Sequence, residues 1–248
     1  MLGKIFFPLL FLMSLVTVAE PIRVVTEELP PFNYLENGRV EGLSSDVVRA
    51  TLDQAGLEYH IDVMSWVKAY FIARFKPNIL IYSIAKTPQR TELFRWIGRI
   101  VPFENCLFRL ERNKHLQIHT LEDAKKFKVG VAFGTAGEQL LISKGFKLDK
   151  NLIRSPTEST LIAALDNGSI DLWLAVKEWE LEQGKSRSKE AKNSVVADLC
   201  IPGEGGLYMA ISKATATDIG DKLRAAYSTI KANGVYQKIL SKHNRREK

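Results

Sequence analysis

The chain has 248 residues, 46% of them apolar and 25% charged, and carries a formal net charge of +7. This is ample for a packed core and long enough for one large domain or two small ones. The positive excess sits in clusters, Lys125-Lys126-Lys128, Lys185 to Lys192 and Lys242 to Lys248. They are not interleaved with aromatics and match no nucleic-acid motif, so they read as solvated surface and exclude a nucleic-acid partner.

In chain order, the first element is a targeting segment. Lys4 precedes an uncharged apolar run from Ile5 to Val16, and Thr17-Val18-Ala19 supplies small residues before Glu20-Pro21. A basic start, a short apolar stretch and a small-x-small site describe a secretory signal over 1–19, cleaved after Ala19. The run is shorter than the ~20 apolar residues that span a bilayer. No later stretch is long and apolar enough to do so, and a soluble exported chain is expected.

Ile22 to Thr26 is a β-rich run ending in the Pro-broken loop Glu27 to Gly38. Ser44 and Ser45 are placed to cap a helix whose apolar face is Val47, Val48, Thr51, Leu52 and Ala55, stopped by Gly56. Tyr59, Ile61 and Val63 alternate as in a strand, Val67 to Phe75 is helical, and Ile79 to Ile84 is almost continuously apolar. Such continuity indicates a strand covered on both faces, as in parallel sheets. Thr120 caps a helix through Phe127, and Lys128 to Phe133 is a strand. Thr135 and Glu138 form a capping box, and Leu152-Ile153 is a short strand. In Ser155-Pro156-Thr157-Glu158 the pattern predicts a Ser155 cap, a proline at the first helical position and a capping-box Glu158. That helix ends near Asn167-Gly168 and is followed by a buried strand, Ile170 to Val176. Two amphipathic helices, Asp218 to Ala232 and Gly234 to His243, close the chain. The alternation predicts an α/β fold on mainly parallel sheets. Two such sets suggest two lobes, with Cys106 to Leu110 and Val195 to Ile201 as crossovers between them.

Three loops could hold a ligand. Arg90 ends Ser83-Ile84-Ala85-Lys86-Thr87-Pro88-Gln89-Arg90, which follows a strand end, where ligands sit in open α/β sheets. Its planar fork of donors matches a carboxylate, although composition alone allows a surface arginine. Gly134-Thr135-Ala136-Gly137 lies between strand and helix, where free amides and the helix dipole favour an anion; Thr135 can be helix cap and hydroxyl donor at once. In the loop from Thr26 to Tyr34, Glu27 and Glu28 could receive an ammonium group, and Trp66 and Tyr70 could line the same mouth. His60, His115, His119 and His243 are scattered, and no nucleophile motif or metal-ligand spacing occurs. Neither catalysis nor a cofactor is expected. Cys106 and Cys200 form one disulfide or stay as two buried thiols.

Taken together, these segments resemble the family 3 extracellular solute-binding proteins of bacteria, the periplasmic amino-acid-binding group, over nearly the whole mature chain. The resemblance rests on Pro30-Pro31-Phe32 with Gly42, Thr87-Pro88-Gln89-Arg90 with Phe94 and Pro102-Phe103, Val129-Gly130-Val131 through Thr135, Leu165 to Asp171, and Asn233-Gly234-Val235-Tyr236. It implies a two-lobed type II, Venus-flytrap fold with two crossover hinge strands. One lobe would be 20–108 plus 202–248 and the other 109–201. It further implies hinge closure on a carboxylate-bearing, amino-acid-like ligand, a periplasmic location, a monomer and an ABC-transporter permease as partner. Arg90 matches the family's carboxylate clamp, Thr135 its second hold, and Ser83 a hydroxyl or backbone contact. The cysteines fall at the crossovers, which favours the disulfide. The family's amine-binding acidic residue is replaced by Val176, and its first-loop aromatic by Leu29. Glu27, Glu28 or Glu178 would have to substitute, and ordinary L-amino acids are expected to bind poorly. Ser83-Ile84-Ala85-Lys86-Thr87-Pro88-Gln89-Arg90, with Trp66 and Asp171-Leu172-Trp173, is similar to a branch whose members need not serve a transporter. The alternatives are a dehydratase-like enzyme on the same fold, with Glu28 or Glu178 as the catalytic carboxylate, and a ligand sensor.

Overall fold

A computed structural model describes residues 20–178, 194–202 and 206–244. The signal segment, the Lys185 to Lys192 cluster and the last four residues lie outside them.

Two five-stranded sheets organise the chain. The first has the order β4-β1-β5-β12-β6, formed by Tyr59–Val63 (β4), Ile22–Thr26 (β1), Ile79–Ala85 (β5), Leu207–Ser212 (β12) and Phe94–Val101 (β6). The second has the order β11-β7-β10-β8-β9, formed by Val195–Pro202 (β11), Glu104–Leu110 (β7), Leu172–Val176 (β10), Val129–Ala132 (β8) and Leu152–Ser155 (β9). Tyr34–Glu36 (β2) and Arg39–Glu41 (β3) make a small hairpin.

Each sheet is covered on both faces. Leu43–Ala55 (α1), Thr217–Ala232 (α6) and Val235–Asn244 (α7) pack on one another beside the first sheet, and their core includes Val47, Leu52, Leu80, Met209, Leu223 and Ile230. Trp66–Phe75 (α2) covers the other face through Ala69 and Ala73 against Val25, Ile81 and Ala210. In the second sheet, Phe108 and Trp173 point to the side of Leu161 and Leu165 in Glu158–Asp166 (α5). Their chain neighbours Leu107 and Leu174 point the other way, toward Leu121–Ala124 (α3) and Ala136–Ser143 (α4) through Ala124 and Leu141. This is the two-residue period of a strand buried on both sides. All seven residues of β5 are buried, as its apolar run requires.

The mainly parallel expectation is corrected to mixed sheets. β1 runs parallel to β4 and β5, but β12 is antiparallel to both β5 and β6. β7 likewise pairs antiparallel with β10 and β11, while β8 pairs parallel with β9 and β10. The segments read as crossovers, β7 and β11, are neighbouring strands of the second sheet. The chain passes between the sheets just before β7, at Pro102-Phe103, and again between β11 and β12. Cys106 and Cys200 stand directly opposite in the β7–β11 ladder and are bonded. The disulfide therefore ties two strands of one sheet rather than one lobe to the other.

Two helix starts also differ from expectation. Gly42 rather than Ser44 or Ser45 caps α1, and the two serines are buried inside the helix. Gly42 has φ +113°, and a Cβ there would lie 2.4 Å from the Phe32 carbonyl oxygen, so only glycine fits this entry. Thr157, not Ser155, caps α5 by accepting from the Thr160 amide. Glu158 is therefore the first helical residue, and its carboxylate is free of capping duty.

Candidate functional site

The carboxyl ends of β1, β5, β8 and β10 meet at one cavity, of about 620 Å³ counting its open mouth. The first sheet's side contributes Glu27, Glu28 and Leu29 after β1, Trp66 at the start of α2, Ser83 in β5, and Arg90. The second contributes Asn105 of β7, Thr135, Ala136 and Gly137 at the start of α4, Glu158, and Leu174 to Val176 of β10. Seven of the eight ligand contacts expected from sequence, Arg90, Thr135, Ser83, Glu27, Glu28, Trp66 and Ala136, thus line one space. Glu178 does not: it lies beyond the end of β10 and outside the cavity wall.

Arg90 is the most enclosed charge in the wall, with 1% of its surface exposed. Its Nη1 donates to the Ala85 carbonyl at 3.2 Å and its Nη2 to the Gly134 carbonyl at 2.9 Å. Its guanidinium carbon lies 5.0 Å from the Trp66 ring and 5.2 Å from the Tyr70 ring, within cation–π range. Burial lowers its pKa to about 10, with Tyr70 and Glu27 acting in the opposite direction, so it stays protonated at neutral pH. Its Nε has no hydrogen-bond partner among the described residues.

The Gly134 carbonyl also accepts from Trp66 Nε1 at 2.7 Å. Thr87 Oγ1 donates to Gln139 Oε1 of α4 at 2.7 Å. Three side chains on the first sheet's side thus hold the start of α4, and the cleft is closed.

Thr135 caps α4, accepting from the Glu138 amide at 3.3 Å while donating to the Ala132 carbonyl at 2.8 Å. Its hydroxyl proton, expected to be available to a ligand, is spent on Ala132. Glu138 reaches the Gly134 amide rather than that of Thr135, so the capping box is displaced by one residue. The first-turn amides of Ala136 and Gly137 have no intrahelical acceptor by position, and both residues line the cavity. They are the donors that α4 offers an anion. Ser83, 5% exposed and with φ 54°, donates its hydroxyl to Asn33 Oδ1. Asn33 in turn donates to Thr26 Oγ1 and the Glu27 carbonyl, so Ser83 holds the first loop in place.

Glu158 is the residue sequence reasoning missed. Its Oε2 accepts from Trp173 Nε1 at 2.6 Å, and it lines the cavity on the side of the second sheet. Burial raises its pKa to about 7, partly offset by the Trp173 hydrogen bond. Glu27, on the other side, is raised to about 8 by burial and then by the charge of Glu158, against the pull of Arg90. Reading Glu158 as a capping residue hid it. The usable signal was its place after a parallel strand, the same strand–loop–helix setting that singled out Thr135.

The model of the bacterial extracellular solute-binding proteins, family 3, matches residues 22–246. The chain belongs to this family. No curated protein matches this family 3 chain in sequence. Among solved structures it is similar to an ancestral arginine-binding protein bound to arginine, at 21% identity and a TM-score of 0.77, covering 90% of this chain and 97% of that one. The arginine-, lysine-, histidine-binding protein ArtJ from Geobacillus stearothermophilus matches at 18% identity and TM-score 0.75, with 90% and 94% covered. A histidine kinase sensor domain with similarity to periplasmic binding proteins matches at 15% and 0.77, with 90% and 95% covered. At these identities the likeness establishes the fold, that of the type II periplasmic binding proteins. Among the described residues of the family 3 chain, no helix is long and apolar enough to cross a membrane.

Proposed function

We propose that this chain is a periplasmic solute-binding protein, freed of a signal segment after Ala19. On this reading it captures a small carboxylate-bearing, amino-acid-like ligand and delivers it, as a monomer, to an ABC-transporter permease. The lobes are the elements around the first sheet and those around the second, joined by the two passages between β6 and β7 and between β11 and β12. The observation that carries the reading is Arg90. A protonated guanidinium enclosed in a cavity that Ala136 and Gly137 of the α4 start also line is a binding pole for a carboxylate. Closing the cleft removes water around that contact and strengthens it. Arg90→Ala should lower ligand affinity by a hundredfold or more, since losing a charge-assisted pair costs ~3 kcal/mol. The fold should persist, because the Gly134 carbonyl keeps its Trp66 donor. Unchanged affinity by calorimetry would refute the assignment.

One observation favours a second reading. Glu27, protonated near neutrality and beside Arg90, is what a general acid acting on a carboxylate substrate requires. The suspects named from sequence were Glu28, which lines the cavity, and Glu178, which does not. Turnover of a prephenate-like hydroxy acid, lost in Glu27→Gln, would establish that reading; its absence leaves capture.

A further inference from the structure

We infer that Glu27 and Glu158, one from each side of the cleft, together form the cation subsite of this protein. The inference rests on the capture reading and assigns the half of the pocket that resemblance leaves blank. An amine-binding acid is looked for at Val176, and Val176 does line the cavity, but its side chain offers an amine nothing. Glu158 lines the same cavity, and its carboxylate is anchored by Trp173 Nε1 at 2.6 Å. One of its oxygens takes that bond, leaving the other to accept from a ligand. Glu27 lines the same cavity from the first sheet's side, and the charge of Glu158 adds to burial in raising its pKa.

Two carboxylates in a closed, poorly solvated cleft cannot both ionise cheaply. A cation between them removes the penalty. An ammonium or guanidinium group is therefore favoured there, and an anion or a neutral group is not. Arg90, enclosed and with an unpartnered Nε, supplies the opposite pole, so the ligand is dipolar. The other charges around the pair do not fill this role. Glu28 adds further negative charge at the mouth, and Tyr70 stacks on Arg90. Glu138 and Arg154 are spent on each other at 3.3 Å. With pKa values of about 8 and about 7, the empty closed pair holds about one proton at pH 7.5, which cation binding should release.

The test uses matched probes on the mature chain: glycine, 4-aminobutyrate, L-lysine and L-arginine against their cation-free counterparts acetate, butyrate, hexanoate and valerate. Melting and calorimetry are run on the wild type, Glu158→Gln, Glu27→Gln and Glu158→Asp, with circular dichroism to confirm folding. At least one amine-bearing probe should bind tenfold or more tightly than its amine-free mate, and either Gln variant should abolish that preference. Calorimetry at pH 7.5 in buffers of different ionisation heat should show about one proton released, and less in the Gln variants. Glu158→Asp, which keeps the charge, should retain part of the preference; a role in packing alone would not distinguish Asp from Gln. If the carboxylate binds equally with and without its amine and depends on Arg90, the subsite is refuted while capture stands. An amine preference that survives either Gln substitution, or a proton release undiminished by it, also refutes it. Failure of every probe to bind overturns the subsite and the capture reading together.

Discussion

The Cys106–Cys200 disulfide should stabilise the fold strongly while leaving ligand affinity nearly untouched. The two cysteines are 94 residues apart in sequence, and closing a loop of that length removes about 4.7 kcal/mol of denatured-state entropy at 25 °C in the chain-entropy model. The bond joins β7 to β11, already held in register by their antiparallel ladder, so reduction leaves the native sheet its hydrogen bonds. Most of the loss therefore falls on the unfolded state. For a chain of this size, each kcal/mol moves the melting temperature by about 2–4 °C, so full reduction should lower it by roughly 10 °C or more. Urea unfolding with and without a phosphine reductant, with thiol titration to confirm reduction, measures the change; Cys106→Ala with Cys200→Ala provides a reductant-free control. Because both cysteines belong to the second sheet, calorimetric affinity for a bound ligand should change less than twofold. An unchanged urea midpoint after complete reduction would refute the stability argument. A large loss of affinity with little loss of stability would show that the bond controls the cleft after all.

Gly42→Ala combines φ +113° with a Cβ 2.4 Å from backbone and should cost at least the ~1–3 kcal/mol of such strain; Gly168→Ala, at φ +78° in open space, should cost less by urea denaturation, and equal costs would remove the steric explanation. Trp66→Phe deletes the bond to the Gly134 carbonyl, which still accepts from Arg90, so ligand affinity should fall only two- to tenfold, as loss of ~0.5–1.5 kcal/mol implies. A hundredfold loss by calorimetry would mean that the indole nitrogen contacts the ligand itself. The pH dependence follows from the raised carboxylates. Their ordinary pKa is 4.5, and the closed values are about 8 for Glu27 and about 7 for Glu158. The closed empty form therefore binds these protons more tightly than an open or unfolded form, and is favoured in acid. It loses up to about 1.4 kcal/mol per proton for each pH unit between those limits, and nothing further above them. The ligand-free radius of gyration by small-angle scattering should rise between pH 5 and 8 and flatten in Glu27→Gln; a pH-independent radius in the wild type would contradict this.

Much of the fold was legible because its signals are local. The both-face apolarity of β5, the alternation of Tyr59, Ile61 and Val63, and the stripes of α1, α6 and α7 report burial over a few residues. β6 and β12 were overlooked because each pairs antiparallel with a strand distant in sequence, and mixed polar and apolar residues such as those of Phe94-Arg95-Trp96-Ile97 mask a strand whose partner is unknown. The pairing of β7 with β11, the strands beside the two passages between the sheets, was hidden for the same reason. Their strand character was readable, but not the ladder that joins them.

The site divides along the same line. Arg90, Thr135 and Glu27 could be singled out from sequence because a loop after a buried strand, or before a helix, identifies a strand end without knowledge of its neighbours. Whether Thr135 Oγ1 meets a ligand or the Ala132 carbonyl is a matter of a single proton, and only the folded helix start decides it. Whether Glu158 caps its helix or faces Glu27 depends on two chain segments 131 residues apart being brought to one cleft. Sequence by itself determined the layers and the loops at the strand ends, since each follows from local periodicity and residue chemistry, and it offered Arg90 as a candidate for a carboxylate. Tertiary structure alone decided the mixed sheets, the confinement of the disulfide to one of them, and the opposing carboxylates. Desolvation and like-charge repulsion arise only when distant segments share a space from which water is excluded.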